Sequence, residues 1–322
     1  MLFVLVIIDA FLREDGQAGR LQRTLWELSL FGVVSFRNDG RYVIIITIVV
    51  LLLFVRKHWK TYLEGLGMAV LFLVLVEHVY MPIRNIPAGA VREAMSVPLM
   101  QTANYLGQYG EEVTEEETVL AALFAEGDLR RVAEAYDEEI SDNVKGRFKE
   151  YPDRQELFAY FKVWWGQLKK HPGIYVEPFW RHCDGYFDPF RKCYDDIIGC
   201  FKILDGQSRS DEYLDIYFGI EDQHFRDMLE DWAYFLYKLP VFRLLYRPAV
   251  YTWVMAGCLL FLLRKKRKEA LVILPGIVVL LICMVSPLNA SVRYFLPVMA
   301  VLPIYFGICL SGDLYVKKKE DA

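Results

Sequence analysis

Four polar clusters interrupt the apolar parts of this chain, and their residue types suit the binding of an anionic head group. Arg37, Asn38, Asp39 and Arg41 surround one tight turn, and Glu77 and His78 lie near the end of an apolar run, with Arg84 and Asn85 just beyond. Asn289 to Arg293 precede the last apolar segment. Arginine fits this chemistry because its planar guanidinium bonds two phosphate oxygens at once and is less strongly hydrated than an ammonium. Each cluster also has a plainer use. Arg37 and Arg41 can snorkel to the polar edge of an apolar segment, Arg293 can be a solvated flank, and Glu77 with His78 can pair with a neighbouring helix. Asn289-Ala290-Ser291 fits the glycan acceptor pattern, but beside an apolar segment it reads as a loop turn.

Nucleophilic and nucleotide-binding strings are missing: there is no G-x-S-x-G, P-loop, G-x-G-x-x-G or H-E-x-x-H, so no catalytic residue is assigned. Of the six cysteines, Cys258, Cys283 and Cys309 fall in apolar segments, where packing is their expected role. Cys183, Cys193 and Cys200 lie in a polar stretch; an odd trio is no disulfide framework, although one pair can bridge in an oxidising compartment. His182 stands beside Cys183 without a C-x-x-C or H-x-x-x-H partner, so no metal site is assigned.

The elements that must position these clusters are strongly partitioned. Of 322 residues, 55% are hydrophobic, yet a polar insert from Pro82 to Tyr246 carries 19 Lys and Arg against 30 Asp and Glu, a net −11. The remainder carries 18 against 11, a net +7. The division implies an all-α, polytopic transmembrane bundle with one large, mostly helical extracytoplasmic domain: residues 1–81 as N-terminal spans, 82–246 as the acidic external domain, 247–322 as C-terminal spans with a basic tail. An acidic insert excludes nucleic acid as the expected partner and makes the bilayer the first one.

Sidedness follows from the basic residues. Arg56–Lys60, Arg264–Lys268 and Lys317–Lys319 all become cytoplasmic if the apolar segments alternate in direction. Tyr42–Val55 then runs inward, Tyr62–Met81 outward, Tyr251–Leu263 inward, Leu271–Val285 outward and Tyr294–Leu310 inward, leaving the C-terminus in the cytoplasm. Before them, Met1–Leu12 runs inward, and a short outward helix, or in the rival reading a helix lying in the interface, ends at Phe36 before the turn Arg37–Gly40, where Gly40 is expected to supply a positive φ. Within the insert, Thr114–Glu117 has capping-box spacing, and Gln155–Lys170 carries apolar residues at helical spacing up to a stop at His171-Pro172-Gly173. The aromatics of Tyr175–Phe190 and Tyr213–Tyr246 are expected mainly in a core, with an interfacial belt or a sugar-stacking surface as the rivals.

Several strings resemble, as a set, a family of polytopic proteins from Gram-positive bacteria related to the GT-C membrane glycosyltransferases. They are RNDGRYVIIITIVVLLLF from Arg37, SVPLMQTANYL from Ser96, ISDNVKGRF from Ile140, FKVWWGQLKKHPGIYVE from Phe161, GYFDP from Gly185 and VRYFLPVMAVLP from Val292. The resemblance implies sugar transfer from a polyprenyl-phosphate donor at the extracytoplasmic face. Arg37, Asn38 and Arg293 would hold the lipid phosphate, and Gln101 would line the acceptor side. Related enzymes can use a divalent metal, but no ligand set for one is found here. GT-C enzymes place a catalytic Asp or Glu in the first external loop, and neither Asp9 nor Asp15 falls there. The resemblance therefore implies a C-terminal portion, inactive alone, either truncated or encoded apart from a separate N-terminal polypeptide that completes it. The rival class is a membrane-anchored binding or sensory protein whose acidic domain recognises an envelope component. A transporter is disfavoured by the large insert and the scarcity of intramembrane charge.

Overall fold

The computed structural model describes residues 1–12, 19–37, 39–55, 59–87, 89–114, 119–124, 127–191 and 223–311. Asn38, Cys193, Cys200, Glu115–Glu117, Arg56–His58 and Lys317–Lys319 lie outside these residues. Among the described residues the regular structure is all helical. Extended pairing is limited there to two isolated antiparallel bridges, Phe124 with Phe148 and Ile140 with Leu288.

The first four helices are α1 (Leu2–Leu12), α2 (Arg20–Phe36), α3 (Gly40–Phe54) and α4 (Trp59–Leu75). Helix α2 starts where the Gln22 side chain accepts the Gly19 N–H at 2.6 Å, which satisfies one orphan donor. Helix α4 runs on through a π turn at Val76–Tyr80 to Ile83. Pro82 lacks the N–H that a regular α-turn needs at that point, and the wider turn accommodates the break. Close approach, rather than a positive φ, is why Gly40 is glycine: it sits in the first turn of α3, and a Cβ there would lie 2.1 Å from the Val33 carbonyl oxygen. Gly65 does the same where α4 crosses α2, since its Cβ would meet Trp26 Nε1 at 2.1 Å.

The insert supplies α5 (Ser96–Tyr109), α6 (Val119–Leu123), α7 (Leu129–Glu134), α8 (Asp142–Lys145), α9 (Arg154–Lys170), α10 (Pro172–Cys183), α11 (Gln223–Lys238) and α12 (Pro240–Leu245). Helix α5 is covered on two sides. Leu99, Ala103 and Leu106 pack with Val144, Phe148 and Tyr160, while Tyr105 packs with Ile174 and Tyr175. A helix buried on several faces must satisfy its polar side chains internally. Thr102 duly meets the Tyr160 hydroxyl at 2.8 Å, and Asn104 donates to the Ile174 carbonyl at 3.2 Å. Helix α9 carries a reciprocal cap: Asp153 accepts the Glu156 N–H at 2.8 Å, and Glu156 accepts the Asp153 N–H at 2.7 Å. It stops at Lys170, and Pro172 begins α10 because its missing N–H costs nothing in a first turn.

The chain returns to the bundle as α13 (Pro248–Arg264), α14 (Leu274–Met284) and α15 (Val292–Leu310). A single buried cluster joins α1 to α4 with α13 to α15, and also takes in Cys183 and Tyr186 at the end of α10. Arg267 closes the far end by donating Nη1 to the Ile308 carbonyl at 2.9 Å, a cation placed where α15 ends in unsatisfied acceptors. Among the described residues, two helices are long and apolar enough to cross a membrane: Trp59–Ile83, with mean hydropathy 1.9, and Val292–Leu310, with 1.7. The core reading of the insert aromatics holds for Tyr175 and Tyr186 but fails at Trp180, Phe190, Trp232 and Phe235, all of which are exposed.

Candidate functional site

Arg37 closes α2, and its side chain crosses to the first turn of α15. Its Nη1 donates to the Tyr294 carbonyl at 2.6 Å and its Nη2 reaches Asp39 Oδ2 at 3.4 Å. The guanidinium also lies 5.8 Å from the Tyr294 ring centre, and the Arg293 guanidinium lies 4.8 Å from the same ring. Arg37 and Arg293, 256 positions apart in sequence, are thus gathered around one tyrosine. Arg293 is exposed, donates Nη2 to the Tyr294 hydroxyl at 3.0 Å, and forms no ion pair among the described residues.

Next to Arg37, α1, α2, α3, α14 and α15 surround a cavity of about 230 Å³, of which Arg293 is not a lining residue. Val4, Val33, Val43, Val279 and Val298 form much of its wall, with Arg37 and Asp39 lining the same space. Tyr305, fully buried, lines it two turns further along α15 than Pro297. Gly276 makes room there, since a Cβ would come within 3.0 Å of the Tyr305 hydroxyl. An apolar slot with a guanidinium at its edge matches a ligand that has a hydrocarbon tail and an anionic head.

The other sequence candidates are placed differently. Arg41 pairs with Glu77 at 2.8 Å, an ion pair between α3 and the π turn, and its guanidinium covers Tyr42 at 5.1 Å. Gln101 is buried inside the insert, away from the cavity lining; its Nε2 donates to the Tyr175 carbonyl at 2.7 Å and its Oε1 accepts from Trp164 Nε1 at 3.2 Å. Both ends of its amide are therefore used within the fold, and an acceptor-lining role has no support in this placement. Asn289 is buried, which removes it as a glycan acceptor. No three His, Cys, Asp or Glu side chains among the described residues stand together as a metal site. Cys183 is buried, and burial followed by the nearby Asp184 carboxylate pushes its thiol up to about 11, so it is a poor thiolate. Both His182 ring nitrogens face backbone carbonyls, Glu138 at 3.0 Å and Ser286 at 2.7 Å, rather than Cys183.

The polar junction around His182 is the feature that sequence reasoning missed. The segment 286–291, which leads directly into Arg293 and Tyr294, is stitched to the insert. Ser141 N–H donates to the Pro287 carbonyl and Asn289 N–H to the Glu139 carbonyl, both at 2.9 Å. Asn289 Nδ2 donates to the Arg181 carbonyl and to Asp184 Oδ1, both at 3.0 Å, while its Oδ1 accepts the Gly185 N–H at 3.3 Å. Arg191 pairs with Asp184 and reaches Glu139 at 3.6 Å. Burial, outweighing Asn289 and Arg191, still raises the Asp184 carboxyl above its ordinary value. The legible signal was Gly185 in GYFDP, where a Cβ would sit 2.6 Å from that of Ala290.

Residues 1–314 match DUF6020, described as a family of unknown function. The chain belongs to that family. No curated protein and no solved structure matches it. The DUF6020 match covers the bundle, the insert and the cation pair together, so the site lies wholly within the family's extent.

Proposed function

We propose that this DUF6020 chain is a multi-span membrane protein that holds a polyprenyl-phosphate sugar, with the phosphate at Arg37 and Arg293 and the isoprenoid entering the apolar cavity. The observation that carries the membrane part is the exposure of α4. Its span Trp59–Ile83 is strongly apolar, yet only 6% of its most apolar window is buried. Core helices of soluble proteins hide such surface, and large exposed apolar faces call for a partner, here lipid. In this reading residues 82–246 stand outside the cell and the C-terminus lies in the cytoplasm.

The chemistry that fits is GT-C-like sugar transfer. An acceptor attacks the anomeric carbon, the bond to the phosphate oxygen breaks, and the lipid phosphate leaves with its negative charge on the arginines. Arg37 is suited to this because its contact with Asp39 is long, so a phosphate can replace it without breaking a tight ion pair. Its bond to the Tyr294 carbonyl fixes the guanidinium in place. Neither a catalytic base nor a metal is assigned to the described residues.

Binding of a short polyprenyl-phosphate sugar to the chain in nanodiscs tests the proposal. Charge-assisted hydrogen bonds are worth about 1.5–3 kcal/mol, so Arg37→Ala should weaken binding by about 10- to 100-fold. Arg37→Ala with Arg293→Ala should abolish it. Undiminished binding by a folded double variant refutes the phosphate role. A second reading, recognition of an envelope glycan, draws on the exposed stripe Phe158, Phe161 and Trp165 on α9, with Lys169 lying over Trp165 at 5.5 Å. Glycan binding lost in Trp165→Ala and retained in the arginine variants would favour it.

A further inference from the structure

Helix α11 has a strongly apolar face that joins no buried cluster among the described residues. Phe225, Met228, Leu229, Trp232 and Phe235 recur at three- and four-residue spacing and so share one face. All five are exposed, Trp232 at 59% and Phe235 at 56%, and none belongs to a buried cluster of the described fold. Tyr234 stands on the opposite face with the Lys238 ammonium 4.2 Å above its ring. Helix α12 continues the pattern, with Val241, Phe242, Leu244 and Leu245 exposed.

What covers that face is constrained by where the element is tied. Only Tyr246 and Arg247 separate α12 from the apolar helix α13. Arg247 Nη2 donates to the Tyr237 hydroxyl at 3.1 Å, and Tyr251 in the first turn of α13 donates to the Leu245 carbonyl at 2.7 Å. The end of α11 is therefore held at the level where α13 begins. That level is marked by an aromatic group: exposed Trp253 donates Nε1 to the Phe187 carbonyl at 2.7 Å, and Trp180 stacks on Phe187 at 5.7 Å. Tryptophan and tyrosine collect at the depth of lipid head groups because one end of each ring is polar and the other is not.

We infer that α11 and α12 lie in the outer head-group layer of the bilayer, with the stripe from Phe225 to Phe235 against the acyl chains. The element is an interfacial approach to α13, and it rests on the membrane reading given above. A helix tied through two residues to a spanning helix has no distance in which to stand away from the lipid. Helices α11 and α12 carry Arg226, Lys238 and Arg243 against Asp227, Glu230 and Asp231, with no excess of positive charge, so apolar burial rather than attraction to anionic lipid holds the element. Its position should accordingly be insensitive to salt.

The test uses the full chain in nanodiscs whose lipids carry bromine in the upper acyl chain, a short-range quencher of tryptophan. The emission of Trp232 is taken as the difference between wild type and Trp232→Phe. More than half of it should be lost to bromolipid, with little effect of aqueous acrylamide and no change at high salt. In a Trp232→Phe, Tyr234→Trp variant the new indole should show the reverse: open to acrylamide and unquenched by lipid. Trp232 emission quenched by acrylamide alone would overturn the proposal by placing the stripe in water. Emission shielded from both quenchers would also overturn it, with protein as the cover. Quenching of the remaining tryptophans but not of Trp232 would sink the interfacial helix and leave the bundle standing. No quenching of any tryptophan would sink both.

Discussion

Truncating Asn289 should loosen the insert from the bundle. The Asn289→Ala variant removes three side-chain hydrogen bonds at once: two to neutral groups, the Arg181 carbonyl and the Gly185 N–H, and one to the Asp184 carboxylate. At about 1 kcal/mol for each neutral bond and about 2 kcal/mol for the charged one, the gross loss is about 4 kcal/mol. Asp184 keeps Arg191 and water can enter the vacated space, so a net cost of about 2–4 kcal/mol is expected. In detergent or nanodiscs, at one scan rate, that lowers the apparent Tm followed by tryptophan emission by about 5–10 °C. Acidification supplies the sharper check. Burial raises the Asp184 carboxyl above 3.8, so its contribution to stability is complete below 3.8 and is lost as the pH rises through the folded value. Asn289 donates to the ionised form, so its removal raises that value further. The penalty of Asn289→Ala should therefore be largest at neutral pH and shrink as the pH falls towards 4. An unchanged Tm at pH 7, or a penalty that grows on acidification, would refute the junction as described.

Three further substitutions probe the elements around it. Gly65→Ala places a Cβ 2.1 Å from Trp26 Nε1 and 2.7 Å from Leu30 Cδ1, so it should push α2 from α4 at a cost of about 1–3 kcal/mol; an unshifted Tm would mean the crossing is looser than drawn. Tyr160→Phe strands the buried Thr102 hydroxyl and should cost about 1 kcal/mol, whereas Tyr160→Phe with Thr102→Val should recover much of it. Lys145 is buried, yet Asp142 and Glu93 hold its ammonium above 10.5 against that desolvation. Its contribution is fully present below 10.5 and lost as the pH climbs through the folded value, so Lys145→Met should destabilise the insert by about 1–3 kcal/mol at pH 7 and lose less than wild type above pH 10.5.

Long apolar runs, a polar insert and its helical spacing were legible because each is a local property of the chain. The segment Tyr294–Leu310 and the stop at His171-Pro172 fall within a residue or two of α15 and of the α9–α10 corner. Arg37 and Arg293 were legible as candidates by residue type and by their place beside apolar segments, and the fold gathers them at Tyr294. Gln101 looks available as a polar residue in a mixed string, whereas α5 is buried on two sides and engages both ends of the amide internally, a placement no local pattern announces. The role of Gly40 was misread for a related reason: a turn-like string says nothing of the Val33 carbonyl that crowds it. The 286–291 junction had no local signature beyond Gly185, since its partners lie 104 to 150 positions away.

That junction determines how rigidly the cation pair can be held. Asn289 is fixed by the insert through both its side chain and its backbone, Ser291 N–H donates to the buried Tyr186 hydroxyl at 3.1 Å, and two residues later the chain presents Arg293 and Tyr294. Arg37, from the other side of the bundle, is oriented by the Tyr294 carbonyl. The insert therefore positions the guanidiniums without touching them, through six residues of extended and turning chain whose own helix, α15, also walls the cavity. Rigid elements hold charged groups more accurately than free loops, because an unbound loop loses ordering entropy each time it meets a ligand. On the proposed phosphate role, ligand affinity at Arg37 should then fall when Asn289 is truncated, even though Asn289 does not itself line the cavity. Loss of stability without loss of affinity in the folded fraction would separate the two roles and leave the junction as a structural clasp alone.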